Sequence, residues 1–320
     1  MALRWEQNPV GAQVLVQSIC LNAVSCIFVG TRIWLRISKL RKLYLEDYIL
    51  TLALLVSIAL TVDIEFQRRS GSGLHRWQLQ SMHLHPGEFL FWLWMSILLY
   101  QTTIFLTKLA LAFQYYRVFK FRVQRIQSLI LGLFVTLTYV QVLLTTIVFV
   151  CRPTKKFWNP ELAGTCLPLH VLGPVNGALS VIGNLLLIVL PIPAIGKLNL
   201  PKRTKWALSV AFLFGLAECV VSFARLYTLI KVLSANDMLY YTRYASLWTV
   251  AEANVGLMCI CIPAFQPLLS RWLPRAFGGT NQDSTRQTQQ MSRGSRSGYE
   301  RAESGSTAHT NPNRARSPEV

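Results

Sequence analysis

Apolar residues along this chain fall into long unbroken blocks instead of the alternating or striped patterns of soluble strands and helices. Seven blocks follow one another, roughly Gly11–Leu35, Glu46–Phe66, Glu88–Arg117, Ile126–Val150, Val171–Gly196, Lys205–Leu233 and Tyr244–Leu269. A helix rises about 1.5 Å per residue, so about 20 residues cross the roughly 30 Å hydrocarbon core of a bilayer. The pattern predicts an all-α, seven-transmembrane-helix bundle over residues 1–277. From Gly278 the chain turns to Ser, Thr, Gln, Gly and Arg, too polar to bury a core, which predicts a disordered basic tail over 278–320. The first block leads into Arg32, Arg36, Lys39, Arg41 and Lys42 instead of a small-residue cleavage site, and reads as a retained helix. Pro174, Pro191, Pro193, Pro263 and Pro267 lie in or at the ends of the fifth and seventh blocks and predict kinks, because neighbouring helices can satisfy the freed carbonyls.

Composition sharpens this picture. Hydrophobic residues make up 52% of the chain and charged residues only 14%, well below the quarter usual in soluble domains, and mean hydropathy is +0.37. The net charge of +18 could suggest nucleic acid, but the basic residues sit in short runs between apolar blocks, so no nucleic-acid partner is expected. The first, third and fifth connections and the tail, counted with the span ends beside them, hold 21 Lys and Arg, against 9 for the N-terminus and the other connections. The bias predicts the N-terminus outside and the C-terminus in the cytoplasm.

Charges inside the blocks carry the candidate chemistry. Lys108 lies nine residues before Arg117, so roughly 13 Å from the inner boundary. Glu252 is eight residues past Tyr244, about 12 Å from the outer one. Glu218 falls at a similar depth in the sixth span. One cation and two carboxylates near the midplane cannot stay bare, so Lys108 is expected to pair with Glu252 or Glu218. Asn184 is a further candidate for this pocket or buried ion network. Nearer the outer boundary, Asp63 and Arg225 are expected to form a second pair.

Five cysteines (Cys20, Cys26, Cys219, Cys259, Cys261) fall within apolar blocks and should behave as small apolar residues. Cys151 and Cys166 bracket the fourth connection, on the expected outer side, where a disulfide can persist, so this pair is expected to close the loop. The histidines His75, His83, His85 and His170 occupy outer connections, but their spacing matches no compact metal motif. No metal or cofactor is expected. Hydrolase, zinc-protease and P-loop signatures are missing from the sequence, so no catalytic residue can be assigned.

An ordered set of short motifs runs through the chain: Thr31-Arg32 with Arg36, Glu46-Asp47-Tyr48, GSGLH from Gly71 to His75, and TKLALAFQYYRVF from Thr107 to Phe119. There follow Cys151-Arg152-Pro153, Trp158, Gly164-Thr165-Cys166, the LPIP run from Leu190 to Pro193, then Trp248, Glu252, Gly256 and Cys261-Ile262-Pro263. Together they resemble the fungal rhodopsin-like integral membrane family, whose members often accompany secondary-metabolite gene clusters. The chain departs from that family in having Glu46 where an aspartate is commoner, and Asn184 where an aspartate often stands. A retinal protein would need a Schiff-base lysine in the seventh span, which has none. The resemblance implies a receptor-like protein that sits in a lipid bilayer. The leading reading is that it binds a small, mostly apolar ligand between its helices and passes a shape change to the basic inner loops and tail, where a cytoplasmic signalling partner would meet it. Two other readings stay open: a membrane cyclase that protonates an isoprenoid from Glu218 or Glu252, and a small-molecule transporter.

Overall fold

A computed structural model describes residues 8–75, 77–78, 86–119, 122–159, 161–190, 202–235 and 237–265. Pro191, Pro193, Pro267, His83, His85 and the tail from Gly278 lie outside these residues. Among them, seven helices run in chain order: α1 (Pro9–Leu35), α2 (Leu45–Arg69), α3 (Pro86–Val118), α4 (Arg122–Leu144), α5 (Leu169–Val189), α6 (Lys202–Ser234) and α7 (Met238–Cys261). Each contains a span long and apolar enough to cross a membrane. A two-residue hairpin, β1 (Cys151–Arg152) with β2 (Thr165–Cys166), sits between α4 and α5.

The helices start where their caps dictate. Asn8 accepts the Gly11 N–H at 2.9 Å, and Pro9 occupies the first helical position, where its missing N–H costs nothing. The same Asn8 amide donates to the Ser72 carbonyl at 2.8 Å, fastening the start of α1 to the turn after α2. Gly11 allows this approach, because a Cβ there would lie 2.7 Å from Asn8 Nδ2. At the other end of the bundle the Tyr44 N–H donates to the Asp47 side chain, and the Asp47 N–H to the Tyr44 carbonyl, closing the first turn of α2. α7 begins at Met238, six residues before the apolar pattern placed it. Its opening residues, Met238 to Arg243, include two tyrosines, a threonine and an arginine, polar enough to be missed by hydropathy; Asp237 stands at the cap position without a side-chain cap hydrogen bond. Pro174 lies inside α5 without ending it.

Packing sets α7 apart from the rest. Of its most apolar window 61% is buried, against 22–39% for the other six, so α7 is the most enclosed of the seven helices. It packs on α1, α2, α3 and α6. Two apolar clusters surround it. Val29, Leu50, Leu111, Leu257 and Ile260 form one, and Leu15, Leu60, Tyr100, Ile104 and Val250 the other. Large apolar side chains such as Ile27, Leu133 and Val220 point outward. In water that surface would be a liability; in a bilayer it is the solvent-facing side.

Candidate functional site

Half-way along α7, Glu252 is wholly buried and four helices converge on it. The Tyr100 hydroxyl of α3 donates to Oε2 at 2.7 Å. Ser222 of α6 and Ser180 of α5 donate to Oε1 at 2.6 and 3.3 Å. Asn184 supports Ser222 by donating to its Oγ at 2.5 Å. Arg225 of α6 brings one guanidinium nitrogen to 3.6 Å from Oε2 and lies 4.0 Å over the Tyr100 ring, while its Nε donates to Thr249 at 3.2 Å. An ionic group can be buried only when hydrogen bonds replace the lost water, and Glu252 has that replacement on both oxygens.

The expected charges therefore gather here, but not in the expected pairs. Lys108 donates to the Ser180 carbonyl at 2.9 Å and to its hydroxyl at 3.1 Å. Ser180 thus stands between ammonium and Glu252, and the link is a relay, not a direct pair. Glu218 lies beside Gly256, where a Cβ would come within 3.3 Å of its Oε1. The pair expected between Asp63 and Arg225 does not form. Asp63 accepts instead from Gln67, one turn along its own helix, at 2.7 Å. Arg225 meets Glu252 because α6 packs on α7 far more closely than on α2, and because helical side chains lean toward the N-terminus of their helix. In α6 that direction leads from the disulfide end back to mid-bundle. Depth counted at Cα missed this lean.

A cavity of about 150 Å³ opens between this network and the disulfide end of the bundle. Tyr100, Arg225 and Thr249 lie at its inner side, and Phe157 and Trp94 border it toward the hairpin. Trp94 is fixed by donating its indole N–H to the Thr146 carbonyl at 3.0 Å. A smaller space of about 30 Å³ reaches Lys108. The two share Gln101 and Asn176 as walls. Above them the Cys151–Cys166 disulfide closes the hairpin. His75 Nδ1 meets the Asp237 carboxylate at 2.8 Å and stacks on Tyr240 with centroids 4.0 Å apart, joining the GSGLH turn to the start of α7. Gly71 and Gly73 make that turn at φ of 101° and 93°, conformations glycine adopts without strain.

At the opposite end a second ionic cluster ties α1, α2, α3 and α7 together. Arg32, fully buried, donates to Asp47 at 2.9 Å and to the Ile260 carbonyl. Arg117 at the end of α3 reaches Glu46 at 2.5 Å and lies 3.9 Å over the Tyr44 ring. Arg36 completes it at 3.8 Å from Glu46 and 3.7 Å from Asp47. Sequence reasoning used these arginines to orient the chain and gave them no partners. The signal was there: two adjacent carboxylates open α2 directly after a run of five cations. It also missed Tyr100, Ser180 and Ser222. Ser222 lies between Glu218 and Arg225 at spacings of four and three, and Tyr100 two turns before Lys108, so each shares a helix face with a charge.

Seven apolar helices around a buried polar centre define a multi-pass integral membrane protein. The chain belongs to the fungal rhodopsin domain family, whose domain matches residues 31–271. It is 25% identical over 284 residues to "Fugralins biosynthesis cluster protein 2" of Gibberella zeae, covering 85% of this chain and 69% of that one. To "SAT4 family membrane protein" of Emericella nidulans it is 28% identical over 185 residues, 57% of this chain and 46% of the relative. To "Receptor GIN3" of Arthrobotrys oligospora it is 25% identical over 124 residues, 37% and 29% of the two chains. The matches to the last two span less than half of those relatives. No solved structure matches the chain.

Proposed function

We propose that this protein is a receptor-like membrane protein that takes a small ligand into the cavity between α2, α3, α5, α6 and α7 and serves a secondary-metabolite pathway. The N-terminus and the disulfide face outward in this reading, and the basic connections and tail meet a signalling partner in the cytoplasm. One observation carries it. Two residues that border the cavity, Tyr100 and Arg225, also touch Glu252, so anything seated against them presses on the junction of four helices. A ligand shifts a helical arrangement only if it favours one arrangement over another, and this junction is where such a preference can arise. Relatives named for a biosynthetic cluster and as a receptor support the direction of the reading. Neither Glu218 nor Glu252 is among the described residues that border either cavity, which favours ligand recognition over proton donation to a substrate there.

The test is deletion of the gene, with return of the unaltered chain or of Ser246→Phe, which fills the cavity. A receptor predicts that deletion and the filled cavity both change the level of a secreted metabolite family as a whole. Accumulation of one uncyclised precursor in the deletion strain would overturn the receptor reading in favour of an enzyme.

A further inference from the structure

We infer that the cavity's ligand is a small apolar organic acid whose carboxylate docks on Arg225; this rests on the reading of the cavity as a ligand site. Among the described residues that border it, Arg225 alone carries a formal charge, so the wall presents one cation and holds no carboxylate of its own. The guanidinium is also aimed. Thr249 accepts its Nε–H at 3.2 Å, and the Tyr100 ring supports its flat face at 4.0 Å. A planar guanidinium fixed at one edge and one face offers its remaining N–H groups in the fork that suits a carboxylate.

Glu252 pairs with this cation only at a distance and takes no short hydrogen bond from it. Its two oxygens are already taken by the Tyr100, Ser180 and Ser222 hydroxyls, at 2.7, 3.3 and 2.6 Å. Arg225 stands farther off at 3.6 Å, and its side chain keeps 11% of its surface open. Away from Arg225 the walls are mostly apolar, with Trp94, Phe157, Leu172, Leu229 and Val232 among them. A cavity of about 150 Å³ is the size that holds a benzene molecule in another protein. The ligand is therefore one ring or a short chain with an acidic head.

Phenylacetate and its neutral counterpart phenylacetamide test this on the full chain in detergent micelles, read by Trp fluorescence and by the shift in melting temperature. The acid should bind at least tenfold more tightly than the amide, as expected where a charge-assisted bond replaces a neutral one. Arg225→Gln should erase the preference while leaving amide binding, and Thr249→Val, which removes the acceptor that aims Nε, should weaken the acid several-fold. The acid–amide comparison in the unaltered chain needs no variant to fold. Equal binding of acid and amide, or a preference that survives Arg225→Gln, overturns the acid assignment and leaves the cavity reading standing. Failure of both probes, with Ser246→Phe still altering metabolite output, also overturns the acid assignment alone. Failure of both with no effect of Ser246→Phe overturns the two together.

Discussion

Glu252→Gln changes one atom and should cost more than most deletions of whole side chains. The glutamine keeps the shape, but its amide nitrogen meets a hydroxyl that was donating, and its neutral head no longer faces Arg225 at 3.6 Å or the Lys108–Ser180 relay. Removing one member of a buried ionic network costs about 3–5 kcal/mol, because the remaining charges stay buried without compensation. At about 2–4 °C per kcal/mol for a chain of this order of size, the melting temperature should fall by roughly 6–20 °C. The protein supplies its own reporter. Cys219, Cys259 and Cys261 are buried while Cys20 and Cys26 are exposed. A Cys20→Ala, Cys26→Ala background therefore gives a thiol-reactive dye access only on unfolding. Adding Arg225→Gln should restore part of the loss, on the order of 1 kcal/mol or more, since the pair would then leave together. A Glu252→Gln melting temperature within about 2 °C of the parent would refute the claim that this carboxylate organises the bundle.

Three further outcomes are expected. Arg32→Met removes the buried partner of Asp47 and should destabilise by about 3–5 kcal/mol in the same melt, more than Arg36→Met, whose contacts are near 3.7 Å. Reduction of Cys151–Cys166, which closes a separation of 15 residues, should lower stability by about 3 kcal/mol, with no change in a Cys151→Ser, Cys166→Ser double variant on adding reductant. Gly11→Ala puts a methyl 2.7 Å from Asn8 Nδ2 and should break the cap at a cost of about 1–2 kcal/mol, read as faster hydrogen exchange in the first turn of α1.

The number of helices and their apolar character were legible because a bilayer allows few ways to satisfy a backbone, and hydropathy reads that constraint directly. Depth arithmetic brought Lys108, Glu218 and Glu252 to one level for the same reason. Partner choice was not legible. It depends on which helices pack together: α6 packs on α7 far more closely than on α2, which sent Arg225 to Glu252 and left Asp63 with Gln67. Nor does a residue count reveal that Ser180 would stand between Lys108 and Glu252, since a serine in an apolar run resembles packing. The start of α7 was misplaced because its opening turn is polar, and the cluster at Arg32 and Glu46 was hidden in charges counted only for their sum.

The most enclosed helix of this protein is also the one that closes the bundle, packing on both α6 and α1. Synthesis runs from the N-terminus, so this most enclosed helix is the last of the seven to be made. Until it arrives, Arg225 has no Glu252, Arg32 has no Ile260 carbonyl, and α1 and α6 lack the helix that packs against both. Assembly must therefore keep a gap open for a late arrival. A ribosome halted before Met238 leaves a half-built ring with stranded cations, the kind of intermediate that membrane quality control exists to remove.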